Sequence, residues 1–157
     1  MEPEEILTLA EQLGAPQSGA PSPAALRAAF SRLYYACYHV ILKSLRAIGY
    51  DPKTTLERSR HGRAISNHIL VQHWLARSQG LSQLKQLVDQ LYTLRQRADY
   101  ELDNDEDLNA TNFKTQLSVA KKVIFKTMQA VSRDQRTLDA WRQDIDRYEQ
   151  QAAQAKR

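Results

Sequence analysis

Apolar residues recur along this chain at three- and four-residue spacing, the period of an amphipathic helix, and no segment shows the sustained two-residue alternation of a half-buried strand. A short first helix is expected from about Pro3 to Leu13, stopped by Gly14. The segment "APQSGAPSP", Ala15 to Pro23, reads as a linker. Its Ser22-Pro23 pair supplies an N-cap followed by proline at the first helical position, where the missing N–H costs nothing. The helix that follows places Leu26, Phe30, Leu33, Cys37, Val40, Ile41, Leu45 and Ile48 at core spacing, and Gly49 sits where a left-handed C′ residue ends a helix.

A third helix is predicted from about His61 to Arg77, with Ile65, Ile69 and Trp74 among its apolar residues. The fourth begins after Gly80 and aligns Leu84, Leu87, Val88, Leu91, Leu94 and Ala98 on one face. The fifth starts near Asn109 and presents Leu117, Ala120, Ile124, Thr127 and Val131. Its pattern then runs on: Leu117, Ile124, Val131, Leu138, Ile145 and Ala152 recur every seven residues, with Trp141, Tyr148 and Ala155 at the second seam position. A heptad seam wants a partner helix, from the same domain or another chain. Asp134 and Gln135 interrupt it, so a break falls near Ser132–Arg136. A tail that mediates association is the expectation, against a helix that folds back on its own bundle. All five glycines and all five prolines fall at or before Gly80, so the second half lacks the strongest breakers. The chain is all-α, read as an N-terminal helix and linker (1–23), a bundle (24–131) and a C-terminal helical extension (132–157).

The 157 residues suffice for one domain with a substantial core. Hydrophobic residues at 42% and charged residues at 25% are ordinary for a soluble protein, and no apolar run spans a membrane. The acidic start "MEPEEILTLAEQ" lacks the basic region of a signal peptide, and the lone Cys37 has no disulfide partner; both fit a cytoplasmic location. The net charge of +4 is unevenly spread. Between Lys53 and Arg77 lie five basic residues (Lys53, Arg58, Arg60, Arg63, Arg77), three histidines and one acid, whereas Glu101 to Asp107 holds five acids and no base. The basic block can attract phosphate, with Arg58, Arg60 and Arg63 as candidate RNA contacts; the plainer reading is a solvated helix face.

Several chemistries find no support. His68 and His73 lie about 140° apart on a helix and do not form a chelating pair, so no metal is expected. Cys37 falls in an apolar pattern, no nucleophile elbow occurs, and no two glycines are close enough for a phosphate loop; no cofactor is expected. The cluster "SRLYYACYHV", Ser31 to Val40, is denser. Its tyrosines either fill the core or, with His39, line a polar pocket beside Arg95; Tyr34 is assigned to the core. In "LRQRADYELDNDED", Arg95 and Asp99 are spaced i,i+4 and can pair along the helix. Arg95 borders the apolar face, Arg97 is expected in solvent, and the five acids are expected to solvate a loop. An arginine beside a core face, followed by Asp99-Tyr100, is a site candidate or a structural ion pair that anchors the next loop.

Taken together, "FSRLYYACYHVILKSL", "RHGRAI" and "LYTLRQRADYEL" resemble the HEPN domains of prokaryotic toxin–antitoxin and defence systems, over roughly Ala24 to Val131. The resemblance implies an up-and-down bundle of four to five core helices that forms a homodimer with both motifs facing one cleft. Active members are metal-independent ribonucleases with an arginine followed four to six residues later by a histidine. There the 2′-OH attacks the neighbouring phosphate, arginine stabilises the charged transition state, and histidine moves protons. Some members pair with a nucleotidyltransferase antitoxin that adenylylates a tyrosine near the motif, which would make Tyr100 the acceptor here. This chain has Tyr100 where the histidine belongs and no histidine after His73. A phenol, ionising near pH ~10 in water, is a poor base at neutral pH. Arg63 and His68 match the arginine–histidine spacing but in the wrong helix. Two functions follow. One is a ribonuclease toxin in which Arg95 contacts phosphate and His39 or His61 replaces the missing histidine. The other, favoured by that missing histidine, is a non-catalytic or weakly active module that binds RNA, a nucleotide or a protein partner.

Overall fold

The computed structural model describes residues 2–50, 66–78, 80–103, 105–132 and 135–154, together with the backbone of 59–60 and 63–64. Among these residues the chain forms six α-helices: α1 Pro3–Gly14, α2 Pro23–Ala47, α3 Asn67–Arg77, α4 Lys85–Tyr100, α5 Ala110–Val131 and α6 Gln135–Gln154. A single 3₁₀ turn, Ser82–Leu84, leads into α4. Among the described residues the one pair of strands is a two-residue antiparallel pair, in which Ser59 lies opposite Ala64 and Arg60 opposite Arg63. No described helix is long and apolar enough to cross a membrane. Contacts group Met1–Val40 with Gln86–Phe125, and Ile41–Lys85 with Lys126–Arg157.

In the first of these units, α1 starts on Glu2, whose backbone N–H donates to Glu5 Oε2 at 2.8 Å, with Pro3 at the first helical position. Glu4 and Glu5 in the first turn oppose the positive end of the helix dipole. The helix ends one residue later than expected. Gly14 is its last residue, and its role is steric: a side chain there would run into the ring of Phe113. α2 starts on the expected cap, Ser22 Oγ accepting from the N–H of Ala25 at 3.1 Å. From Ala29 to Val40 nearly every α2 residue is buried; Arg32 and His39 are exposed and Tyr35 is half-buried. Phe30 meets Phe113 of α5 edge to face at 5.6 Å, and Cys37 Sγ lies 3.7 Å from the carbonyl of Ala120. Tyr34 is fully buried against Tyr92 of α4, as its position in the pattern predicts. On α4 the buried face is Val88, Leu91, Leu94 and Ala98. On α5 the buried residues include Phe113, Gln116, Ala120, Val123 and Ile124, of which Ala120 and Ile124 belong to the expected row, while Leu117 is only half-buried.

In the second unit, α2 ends as expected at Gly49, which adopts a left-handed φ of 95°. The N–H of Tyr50 reaches the carbonyl of Leu45 and that of Gly49 the carbonyl of Arg46, satisfying groups that a helix end leaves open. α3 starts six residues later than predicted. Ser66 is its cap, with Oγ accepting from Ile69 N–H at 3.3 Å, and the paired backbone of 59–60 and 63–64 precedes it. Of its apolar residues, Trp74 is buried and Ile69 is exposed.

The C-terminal helix corrects the expectation of an association tail. α6 packs against α3 of its own chain, and its seam residues Trp141, Ile145 and Tyr148 are buried there. Polar contacts fix the packing. Trp74 Nε1 donates to Glu149 Oε1 at 2.5 Å, Arg142 Nε donates to the carbonyl of Ile48 at 2.8 Å, and the Tyr50 hydroxyl binds Asp146. The break before α6 falls between Val131 and Gln135, where Asp134 interrupts the apolar pattern.

Two substitutions check this packing by urea unfolding. Gly14→Ala should cost about 1–3 kcal/mol, because the new methyl overlaps a buried aromatic ring. Ile145→Ala, at a position with no solvent exposure, should cost roughly 2–5 kcal/mol by opening a cavity. An unchanged midpoint in the second variant would mean that α6 is not part of the folded core.

Candidate functional site

The Arg95 site is built by α2 and the last turns of α4. α4 ends at Tyr100, so Arg95 and Asp99 share a face one turn apart, and Arg95 Nε stands 2.7 Å from Asp99 Oδ2. The contact is an ion pair more than a directed hydrogen bond, since the Nε–H does not meet the carboxylate in line. Nη2 donates to the Tyr35 hydroxyl at 2.8 Å and to the Tyr100 hydroxyl at 3.4 Å. The guanidinium also lies 5.4 Å from the centre of the Tyr35 ring and 5.3 Å from that of Tyr100, within the range of cation–π attraction. Among the described residues Nη1 enters none of these contacts.

The Arg95 side chain is only 12% exposed. Burial opposes its charge, but the Tyr35 hydrogen bond and the Asp99 carboxylate outweigh it and hold the pKa above the ordinary arginine value. The group is a permanent cation whose charge Asp99 largely balances. Tyr100 is the opposite case: its ring is 70% exposed, and Leu102 beside it is equally open.

Sequence spacing predicted the association of Arg95, Asp99 and Tyr100. Tyr35 completes it as the fourth member, separated from the buried Tyr34 by one position around α2. His39 follows Tyr35 by one turn; it is exposed, and the two ring centres are 6.4 Å apart. Ile6, Leu9, Arg32, Tyr35 and His39 line a shallow groove of about 270 Å³ on this side. His61 and Arg58 lie outside the described residues. Arg60 and Arg63 belong to the short β-pair, and their side chains are likewise outside it. Cys37 is no nucleophile, because burial pushes its thiol pKa far above the ordinary value.

Two expectations for the charged run are corrected. Arg97 is not a solvated side chain but pairs with Asp107. The five acids are not all loop solvation, since Asp107 takes Arg97 and Asp105 takes Arg27 at 2.6 Å. Arg27 is the residue that sequence reasoning missed. Its Nη1 donates to the carbonyls of Arg97 and Ala98 at 3.1 and 3.2 Å, and its Nη2 to those of Glu101 and Leu102 at 3.0 and 2.9 Å. One guanidinium thus gathers carbonyls at the negative end of α4 and in the loop beyond it, on both sides of Tyr100. The only sequence signal was a cation near the start of α2, where a helix dipole gives no reason for one.

No protein-family model matches the chain, nor does any curated protein or solved structure.

Arg27 positions the site without belonging to it. Arg27→Ala should cost about 1.5–3 kcal/mol in urea unfolding, the scale of a lost charged hydrogen-bond donor. Amide hydrogen exchange at Glu101 and Leu102 should accelerate with it. Arg27→Lys, which keeps the charge but not the fork, should recover only part of the loss. Unchanged exchange in both variants would remove Arg27 from this role.

Proposed function

We propose that this chain is a HEPN-type module that binds RNA or a nucleotide through Arg95, Tyr35 and Tyr100 and does not cleave it efficiently. The observation that carries this reading is the state of Arg95. Its guanidinium is held by a carboxylate and two phenol hydroxyls, with Tyr100 where an active member has its histidine. Such an arginine offers phosphate a fixed cation and a hydrogen-bonding nitrogen, Nη1, but the group beside it is a phenol and not the imidazole that moves protons in an active member. The exposed Tyr100 ring gives a base a surface to stack on, which suits a single strand or an unpaired loop. Its openness also fits modification by a nucleotidyltransferase-type antitoxin, and the setting we propose is a toxin–antitoxin or defence system in which the protein is a homodimer.

One observation favours a second reading, a metal-independent ribonuclease. Among the described histidines, His39 lies one turn from Tyr35, the hydroxyl partner of Arg95, with the two ring centres 6.4 Å apart, and it is exposed. In that case His39 would move the protons and Arg95 would stabilise the charged phosphate.

A panel of RNAs in the presence of a chelator separates the two. Binding without cleavage, weakened roughly tenfold or more by Arg95→Ala, is the expected result. Cleavage that disappears in both Arg95→Ala and His39→Ala would establish the ribonuclease instead. RNA binding that Arg95→Ala leaves intact in a folded protein would overturn both. Mass spectrometry after co-expression with a neighbouring nucleotidyltransferase should show an added nucleotide on the Tyr100 peptide.

A further inference from the structure

A second groove, of about 470 Å³, lies between α4 and the start of α5 and is lined by Gln90, Thr93, Leu94, Arg97, Asp107, Asn112 and Gln116. Its size is in the range of small-molecule pockets. Arg97 and Arg95 are two residues apart on a helix and so point about 200° apart around it, which separates this groove from the Arg95 site.

The polar groups here are ordered by a chain of hydrogen bonds. Asn112 Nδ2 donates to the backbone carbonyl of Asp107 at 2.6 Å, and a carbonyl can only accept. That fixes the Asn112 amide, so its Oδ1 must face Gln116, whose Nε2 donates to it at 3.0 Å. Gln116 is fixed in turn and is left presenting Oε1. This residue is only 3% exposed, and Oε1 has no hydrogen-bond partner among the described residues. Buried acceptors are nearly always paired in folded proteins, because an unmade bond is costly. Arg97 Nη1 and Asp107 Oδ2 are paired with each other, so the groove offers Gln116 Oε1 and Asp107 Oδ1 as its two acceptors beside the remaining N–H groups of the Arg97 guanidinium, with Leu94 as an apolar wall.

We propose that this groove is a nucleobase site selective for guanine. The guanine edge carries adjacent N1–H and N2–H donors, which match the two acceptors, and beside them O6 and N7, which match an arginine fork. Adenine brings one amino donor and no second N–H beside it, and inosine's base lacks the exocyclic amino group. The site does not depend on the role given to Arg95.

Nucleosides test it in the full-length protein, because guanosine carries no phosphate and does not report on a phosphate contact. In a calorimetric or NMR titration, guanosine should bind roughly tenfold or more tightly than inosine, adenosine or cytidine. Asp107→Asn, a substitution in a partly exposed loop, should weaken guanosine by a similar factor. Gln116→Met should abolish selectivity over inosine in a protein that stays folded by circular dichroism, since it removes Oε1 together with the Nε2 bond to Asn112. No guanosine binding at millimolar concentration, equal affinity for all four nucleosides, or binding undiminished in folded Asp107→Asn would each overturn the proposal. RNA binding that requires Arg95 would survive any of these failures, so the two readings fall separately.

Discussion

The near-complete burial of α2 between Ala29 and Val40 is the constraint on which the first unit depends. A helix that is apolar on most of its surface cannot rest on one neighbour; it has to be enclosed. α4 and α5 enclose it through specific pairs: Tyr34 against Tyr92, Phe30 against Phe113, and Cys37 beneath the carbonyl of Ala120. α1 closes tightly enough that the last residue of its helix has no room for a side chain beside Phe113. The residues at which α2 escapes burial, Arg32, Tyr35 and His39, are then the ones available for chemistry, and they lie along one edge.

The candidate site is a consequence of that enclosure. Tyr35 points out of the core at the level of Arg95, so a guanidinium on the border of α4 finds a hydroxyl there as well as its own Asp99. Bringing a cation to the edge of an apolar core carries a desolvation cost, and the carboxylate and two phenols offset it. Arg27 solves a related problem at the end of α4. Carbonyls at a helix end run short of N–H partners, and the chain must turn at once toward α5; a single forked cation bonds four carbonyls there and just beyond, of which that of Arg97 also accepts from the N–H of Glu101. The acidic run that follows Tyr100 is the counterpart of these arginines, supplying Asp105 to Arg27 and Asp107 to Arg97.

In the second unit the same logic is applied to aromatic residues. Trp74 and Tyr148 are buried, but each carries a polar atom that needs a partner, and they find Glu149 and His73. These polar anchors specify how α6 lies on α3. They also show why the heptad pattern pointed both ways: a seam records that a helix has a partner without recording which chain provides it.

The sequence by itself determined that the chain is helical, where α2 starts and stops, that Tyr34 and Cys37 are core, and that Arg95, Asp99 and Tyr100 fall together. Each of these is local, set by spacing along a helix, by a cap, or by a glycine that can take a left-handed turn. The late start of α3 escaped because a charged, glycine-containing segment fits a helix turn or a paired backbone equally well. Tertiary structure alone decided that Tyr35, not Tyr34, meets Arg95, that α6 folds onto its own chain, and that Arg27 holds the loop beyond Tyr100. It also decided which acids pair and which acceptor in the second groove is left unpartnered. The first three of these outcomes rest on contacts between residues about sixty to seventy-five positions apart, and periodicity carries no information about which distant faces will meet.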